Sequence, residues 1–209
     1  QVTNRSFASE FAPLRDLRVW RFALYYFFVF GGFVLIMLWL PRYLIGVYGF
    51  DIKTAGMIGA AYSIPGSIFR AYGGMLSDKV GARTVMYWTF AVCALATAIL
   101  SIPSTEIITP IVFIGVAFVL GFFMSLGKAA VYKHIPVYYP QNVGAVGGLV
   151  GMIGGLGGFV LPLAFGWLKD ATGMWSSCFM ALFAIVIVAL IWMHLSVRRM
   201  AAQASIQTA

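Results

Sequence analysis

The stretch AGMIGAAYSIPGSIFRAYGGML, residues 55–76, decides the fold of this chain. It is long enough to cross a bilayer, because about 20 apolar residues in a helix span the hydrocarbon core. Its one charged side chain is Arg70. An arginine at membrane depth is costly and usually serves a function. Since a guanidinium stays charged and presents a planar fork of donors, Arg70 predicts a site for a small anion with its oxygens in one plane.

The rest of the chain is equally apolar, with 62% hydrophobic and 10% charged residues among 209. This composition predicts an all-α integral membrane protein with no soluble domain. We expect six transmembrane helices within residues 20–197, a connecting segment at 1–19 and a tail at 198–209. Because the chain begins with Gln1 and not with methionine, we expect it to be a piece of a longer protein. The six apolar windows are 20–40, 55–76, 85–102, 107–132, 143–168 and 175–195.

Lysine and arginine residues are distributed unevenly between the predicted connections. Nine lie on the side of the two termini and three on the other, which predicts that both termini face the cytoplasm across the inner membrane. The net charge of +8 therefore reflects topology and not nucleic-acid binding. The nine are Arg5, Arg15, Arg18, Arg21, Lys79, Arg83, Lys133, Arg198 and Arg199, and the three are Arg42, Lys53 and Lys169.

The fifth window opens with GAVGGLVGMIGGLGG, residues 144–158, which holds eight glycines in fifteen positions. Each glycine costs a helix up to about 1 kcal/mol relative to alanine, so this density needs a reason. Gly147, Gly151, Gly154 and Gly158 recur at helical spacing and form one smooth stripe, with Gly148 and Gly155 beside it. Such a face lets another backbone or a ligand approach closely. Plain helix packing through small residues explains the stripe equally well.

Counting residues from the predicted cytoplasmic boundary places Phe30, Arg70 and Gly151 at one depth, about 12 to 14 Å inside at a rise of about 1.5 Å per residue. Tyr26, one turn before Phe30, shares its face. A guanidinium, two aromatic rings and exposed backbone at one depth predict an enclosure for a flat anion. The alternative for Tyr26 and Phe30 is ordinary packing or lipid contact.

The connection GMLSDKVGAR, residues 74–83, places Asp78 and Arg83 on either side of Gly81. We expect the Asp78 carboxylate to cap a helix start and to reach a neighbouring cation, which would make the turn a latch between helices. A solvated loop is the alternative. Lys128 is interpreted as snorkelling to the interface, and His134 as a satisfied boundary residue more than a proton carrier.

Other chemistry has little support. Cys93 and Cys178 lie in apolar runs, and no metal-ligand spacing, cofactor fingerprint or catalytic triad pattern occurs. We therefore predict no enzyme activity, no metal, no cofactor and no nucleic-acid partner.

The segment GMLSDKVGAR resembles the cytoplasmic signature G-x-L-A-D-x-x-G-x-R of the major facilitator superfamily, with Ser77 in place of alanine. Together with GLVGMIGGLGGFVLP, residues 148–162, it makes nearly the whole chain similar to NarK-type nitrate/nitrite porters. The resemblance implies helices seven to twelve of a twelve-helix transporter, whose N-terminal six-helix half would be a separate partner segment. It also implies substrate-binding roles for Arg70, Tyr26 and Phe30, close-packed helix at Gly151, Gly154, Gly155, Gly157 and Gly158, and a latch at Gly74, Asp78, Gly81 and Arg83.

The implied function is movement of nitrate or nitrite by alternating access, and GKAAVYKHIP, residues 127–136, favours the branch coupled to protons. A second substrate arginine, expected in the other half, has no counterpart in this chain. Two alternatives remain at this stage: a porter of the same superfamily for a small organic anion, and a membrane module that assembles through its glycine stripe without transporting anything.

Overall fold

The computed structural model describes residues 7–208, and over that range the chain is helical with short connections. A 3₁₀ helix precedes the first long helix, and one π-helical turn, Phe27–Gly31, lies within that helix. The elements are the 3₁₀ helix Phe7–Arg15, α1 (Leu17–Tyr26), the π turn, α2 (Gly32–Tyr48), α3 (Ile52–Val80), α4 (Ala82–Leu100), α5 (Pro110–Tyr138), α6 (Val143–Gly155), α7 (Gly157–Thr172) and α8 (Ser177–Gln207).

Local signals account for the helix boundaries. Asp16, Asp51 and Thr109 precede α1, α3 and α5 and accept a hydrogen bond from a backbone N–H of the first turn. Gly49 and Gly173 end α2 and α7 with φ of +69° and +68°, which a residue with a Cβ rarely adopts. The helices are longer than the apolar windows, and α2 continues past Pro41 to Tyr48, beyond the first window, which ends at residue 40.

Within residues 7–208, five helical segments are long and apolar enough to cross a membrane. The prediction of six spans is therefore met only in part. The exception is α3, which carries the stretch around Arg70: at 29 residues it has sufficient length, but Lys53, Arg70 and a high content of glycine and serine lower its hydropathy. The five segments are Leu17–Tyr48, Ala82–Leu100, Pro110–Tyr138, Val143–Thr172 and Ser177–Gln207.

Helix α5 occupies the centre of the bundle, with α3 along one side and α4 along another. Glycine allows the first contact, since a Cβ on Gly73 would lie 2.6 Å from the Leu126 Cα. On the α4 side, a Cβ on Gly127 would lie 2.8 Å from the Thr89 side chain. Backbones at these crossings therefore approach more closely than larger residues would permit.

The α6–α7 segment forms one span with an interruption at Leu156. Beside this interruption it touches the π turn backbone to backbone. A Cβ on Gly31 would lie 2.7 Å from the Gly157 carbonyl carbon, and a Cβ on Gly157 would lie 2.7 Å from the Phe27 carbonyl oxygen. Both departures from regular α-helix thus meet at one crossing.

Both ends of the described chain lie at the same end of the bundle, because residues around Arg18 and around Arg199 line one cavity. The α3–α4 turn and the end of α5 lie there too: Arg83 donates to the Tyr138 hydroxyl, which in turn contacts Met200 on α8. Arg5, counted among the nine cations of this side, lies outside the described residues.

The crossing of Gly31 and Gly157 predicts a stability difference between two glycines of the same span. Gly157→Ala should lower the free energy of unfolding by about 1–3 kcal/mol, because its methyl group meets backbone that cannot move aside. Gly148 has no atom within 4 Å of an added Cβ, so Gly148→Ala should leave stability unchanged or raise it by up to about 1 kcal/mol. Thermal unfolding of both variants in detergent measures the difference, and equal midpoints would contradict the packing argument.

Candidate functional site

Tyr26 and Phe30 lie side by side where α1 passes into the π turn. Their rings stack, with centroids 5.2 Å apart and an angle of 16° between planes. Tyr26 is buried and Phe30 half-buried. Phe30 lies within the π turn, which begins directly after Tyr26. Such turns inside α-helices are frequent at functional sites. The pair predicted from spacing therefore forms one aromatic wall.

The glycine stripe of α6 and α7 packs against this wall. A Cβ on Gly154 would lie 2.5 Å from the Tyr26 Cδ1, and one on Gly158 would lie 3.3 Å from the Phe30 ring. Gly151 faces the Tyr132 hydroxyl, 2.6 Å from an added Cβ. The stripe thus faces the aromatic side chains, and Gly157 faces Phe27. Gly155 differs from these four, since an added Cβ would meet nothing within 4 Å.

Arg70 lies on an exposed face of α3, in an open cleft between α3 and α5. Its Cζ is 6.0 Å from the centroid of the Tyr132 ring, a cation–π distance. Tyr132 stands edge-on to Tyr26, with centroids 5.1 Å apart, and its hydroxyl donates to the Gly147 carbonyl over 3.3 Å. Tyr132 therefore connects the guanidinium to the aromatic wall and to the glycine helix.

Lys128 lies one turn before Tyr132 on α5 and is only 6% exposed. Its Nζ is 3.4 Å from the centroid of the Phe33 ring and 5.8 Å from that of Phe30. Among residues 7–208 the one ion pair joins Asp78 to Lys133, so neither Lys128 nor Arg70 has a carboxylate partner. Both cations therefore border the same aromatic cluster without a carboxylate counter-charge.

The structure therefore brings together most residues predicted for the site, though Arg70 reaches Tyr26 and Phe30 through Tyr132. Sequence reasoning missed Lys128 and Tyr132. The depth count that grouped Phe30, Arg70 and Gly151 would have found Lys128, which lies ten residues before the end of α5, or about 15 Å at a rise of about 1.5 Å per residue. Interpreting Lys128 as a snorkelling residue prevented that step.

Charged residues join both α3 and α4 to α5 near the α3–α4 turn. The Asp78 carboxylate lies 3.0 Å from the Lys133 Nζ, and Arg83 donates to the Tyr138 hydroxyl at 3.0 Å. Gly81 adopts a φ of +94° between the two helices. Gly74 faces Lys133 one turn earlier, with 3.8 Å from an added Cβ to the lysine Cε. Cation and carboxylate thus meet across helices, although Asp78 pairs with Lys133 and not with Arg83.

The expected capping role of Asp78 is wrong. The residue lies within α3, and the residue that precedes α4 is Gly81, which caps the helix without a side-chain hydrogen bond. The reason is geometric: helix α3 continues through Val80, so Asp78 projects sideways to α5 before the chain turns.

His134 is buried six residues after Lys128 on α5. Its Nδ1 lies 2.9 Å from the Ala130 carbonyl oxygen, and its ring stacks on Tyr138 at 6.2 Å with an angle of 9°. A satisfied residue within an aromatic cluster agrees with the interpretation made from the sequence.

Comparison with known proteins places the chain in a family. The Major Facilitator Superfamily model matches residues 22–208. The chain is 43% identical over 96% of its length to the probable nitrate/nitrite antiporter NarK1 of Thermus thermophilus, covering 48% of that protein. It is 32% identical to the nitrite extrusion protein of Bacillus subtilis and to the probable nitrate transporter NarT of Staphylococcus haemolyticus, over 88% and 89% of the chain and 46% and 48% of those proteins.

The chain thus spans about half the length of the curated relatives it matches. The family model covers the helices that build the site, from residue 22 within α1 to the end of α8. These matches agree with the two sequence signatures and with the helical membrane fold. The chain belongs to the major facilitator superfamily, and the relatives that it resembles carry the names of nitrate and nitrite transporters.

Proposed function

We propose that this chain is the C-terminal half, helices seven to twelve, of a transporter that moves nitrate or nitrite across the cytoplasmic membrane. Membership of the superfamily already makes the chain part of a multi-pass membrane transporter and not an enzyme. In the proposal α3 is the sixth span, completing the five apolar segments, and both termini face the cytoplasm, where most of the basic residues gather.

One observation carries the choice of an anion: Arg70 and Lys128 border the same aromatic cluster, and neither has a carboxylate partner among residues 7–208. An anion held near both cations would supply the missing counter-charge. Nitrate is flat, so two of its oxygens fit the fork of donors on Arg70. Phe30 and Tyr26 then offer a planar wall, and the glycine stripe closes the side without filling the space.

Alternating access is part of the proposal. The cleft beside Arg70 is open to the outside of the bundle, and in the proposal the other half of the transporter covers it. In the proposal, anion bound between the halves lowers the cost of closing a positively charged site, and rocking then exposes it on the other side of the membrane. The Asp78–Lys133 pair and the Arg83–Tyr138 bond serve as the latch that holds α3 and α4 to α5 during this motion.

Proton coupling is proposed from the sequence GKAAVYKHIP, which holds Lys128, Tyr132 and His134 on one helix. Transport in symport with protons is expected to respond to an imposed gradient, whereas exchange against nitrite would not. Uptake is therefore measured both with an imposed proton gradient and with nitrite inside the vesicles.

Arg70→Lys should impair nitrate transport even though the charge is retained. Loss of a bidentate contact to a charged group costs about 1.5–3 kcal/mol, or about tenfold to a hundredfold in affinity. Nitrate uptake by the complete transporter in proteoliposomes measures this, with and without a proton gradient and with nitrite inside. Arg42→Lys, the same change at an exposed arginine beside Trp39, is the control.

Uptake by Arg70→Lys at wild-type KM and rate would contradict the bidentate contact. Uptake of formate or oxalate in preference to nitrate by the wild type would replace nitrate with a small organic anion. No uptake of any anion by folded wild-type protein would contradict the proposed function itself.

Lys128→Met should separate a binding role from a structural one. Methionine keeps the length of the side chain and its contact with Phe33 but removes a buried charge. Without bound anion, the free energy of unfolding should therefore rise by about 1 kcal/mol. The KM for nitrate should rise about tenfold. Thermal unfolding and uptake kinetics test both effects, with Lys53→Met at an exposed position as control. Lower stability with unchanged KM would mean that Lys128 only packs against Phe33.

The latch predicts that reversing charges one at a time impairs transport and that reversing both restores it. Asp78→Lys places two cations together and Lys133→Asp two carboxylates, whereas the double variant restores an ion pair. Since the pair is exposed, its contribution to stability is at most about 1 kcal/mol, and the effect should appear in the transport rate. Double-variant rates no better than those of the single variants would contradict a direct pair.

A further inference from the structure

A second electropositive cavity lies between the start of α1 and the last turns of α8, and it shares no lining residue with the cleft of Arg70. It has a volume of about 220 Å³ and opens to the outside at the end of the bundle where the described chain begins and finishes. We call it the α1–α8 cavity. Its lining residues are Asp16, Leu17, Arg18, Arg21, Trp192, Ser196, Arg199, Met200 and Gln203.

Arg21 is the residue that marks this cavity as more than a surface depression. It is only 7% exposed, and its Nε donates to no acceptor within residues 7–208. Its guanidinium lies beside two aromatic rings, with Cζ 5.2 Å from the Phe22 centroid and 5.9 Å from that of Tyr25. Aromatic faces attract a cation but do not accept its N–H groups fully. The unpaired Nε–H of this buried guanidinium could be satisfied by an acceptor from outside the chain.

The charge of the cavity has the sign that suits an anion. Three arginines, Arg18, Arg21 and Arg199, line it against one carboxylate, Asp16. Burial raises the pKa of that carboxyl, but the Tyr139 hydroxyl, the Arg18 backbone N–H and the nearby guanidinium groups together bring it below its usual value. Asp16 is therefore ionised at neutral pH, and the cavity carries two net positive charges.

Asp16 does not supply the missing acceptor. One of its carboxylate oxygens accepts from the Arg18 backbone N–H at 2.9 Å, and the other accepts from the Tyr139 hydroxyl. These bonds fix the start of α1 and the end of α5 relative to each other. Arg18 itself is directed to the Tyr138 ring, with Cζ 4.7 Å from the centroid.

We propose that the α1–α8 cavity binds a phosphate group, supplied by the headgroup of an anionic phospholipid or by free inorganic phosphate. A phosphate offers several oxygens to guanidinium donors converging from two helices. Leu17, Trp192 and Met200 add apolar surface at the same opening, where a lipid chain would continue from its headgroup. The site is distinct from the proposed transport site and does not depend on it.

The test uses the complete transporter in nanodiscs of phosphatidylcholine, of phosphatidylcholine with phosphatidylglycerol, and of phosphatidylcholine with inorganic phosphate at matched ionic strength. Thermal unfolding gives the stabilisation, and native mass spectrometry counts the retained phosphatidylglycerol. The variants are Arg21→Gln and Arg199→Gln. The control is Arg42→Gln, which removes an exposed arginine outside the cavity.

We expect phosphatidylglycerol to raise the unfolding midpoint of the wild type and of Arg42→Gln, with one lipid retained. Arg21→Gln and Arg199→Gln should lose at least half of the shift and most of the retained lipid. An equal rise with inorganic phosphate alone would identify free phosphate as the source. Equal midpoints of the wild type in all three nanodiscs, or variants that respond as the wild type does, would overturn the proposal. If Arg21→Gln does not fold, Arg199→Gln at the exposed end of α8 decides.

Discussion

The contact of Gly31 with Gly157 is the constraint on which the rest of the site depends. Two backbones meet there without side chains between them, and a Cβ on either glycine would come within 2.7 Å of the other helix. The π turn and the interruption at Leu156 lie at the same crossing. Because this crossing sets the distance between α1 and α6, it also sets how closely Gly154 and Gly158 approach Tyr26 and Phe30. A helix of ordinary residues would hold the aromatic wall away from the glycine stripe.

A second constraint is electrostatic. Acidic residues are few in this chain, and the one carboxylate that pairs with a cation among residues 7–208, Asp78, lies near the helix ends. Arg70 and Lys128 are therefore left with aromatic rings as their neighbours: Tyr132 for the first, Phe33 and Phe30 for the second. Contact with an aromatic ring lowers the free-energy cost of burying a cation but leaves its charge uncompensated. A transporter of anions needs this condition, since a resident carboxylate would compete with the substrate.

Sequence reasoning reached the helical membrane fold, Arg70, the aromatic pair and the face of the glycine stripe, because each rests on periodicity or on a charge placed in an apolar run. It did not reach Tyr132 or Lys128. Both side chains reach the candidate site through the crossing of α3 and α5, where Gly73 packs against Leu126. No local sequence pattern encodes this crossing. The cation that pairs with Asp78 could not be named for the same reason, since Lys133 is distant in sequence. The sixth span is not confirmed because α3 has a low hydropathy. Its arginine and its glycines, which the site prediction used, are the residues that lower it.

Helices α3 and α5 carry both the proposed site and the proposed latch, and this links the two. Arg70 precedes Asp78 by about two turns on α3, and Lys128 precedes Lys133 by about one and a half turns on α5. Beside Arg70 and Lys128 the positive charge has no carboxylate partner, while near the α3–α4 turn the Asp78–Lys133 pair holds the two helices together. An anion bound beside Arg70 and Lys128 would supply the missing counter-charge and leave the ion pair in place. Under the proposed function, binding therefore changes the balance of forces between two helices that are already tied at one end, so that local charge neutralisation becomes a change in helix packing.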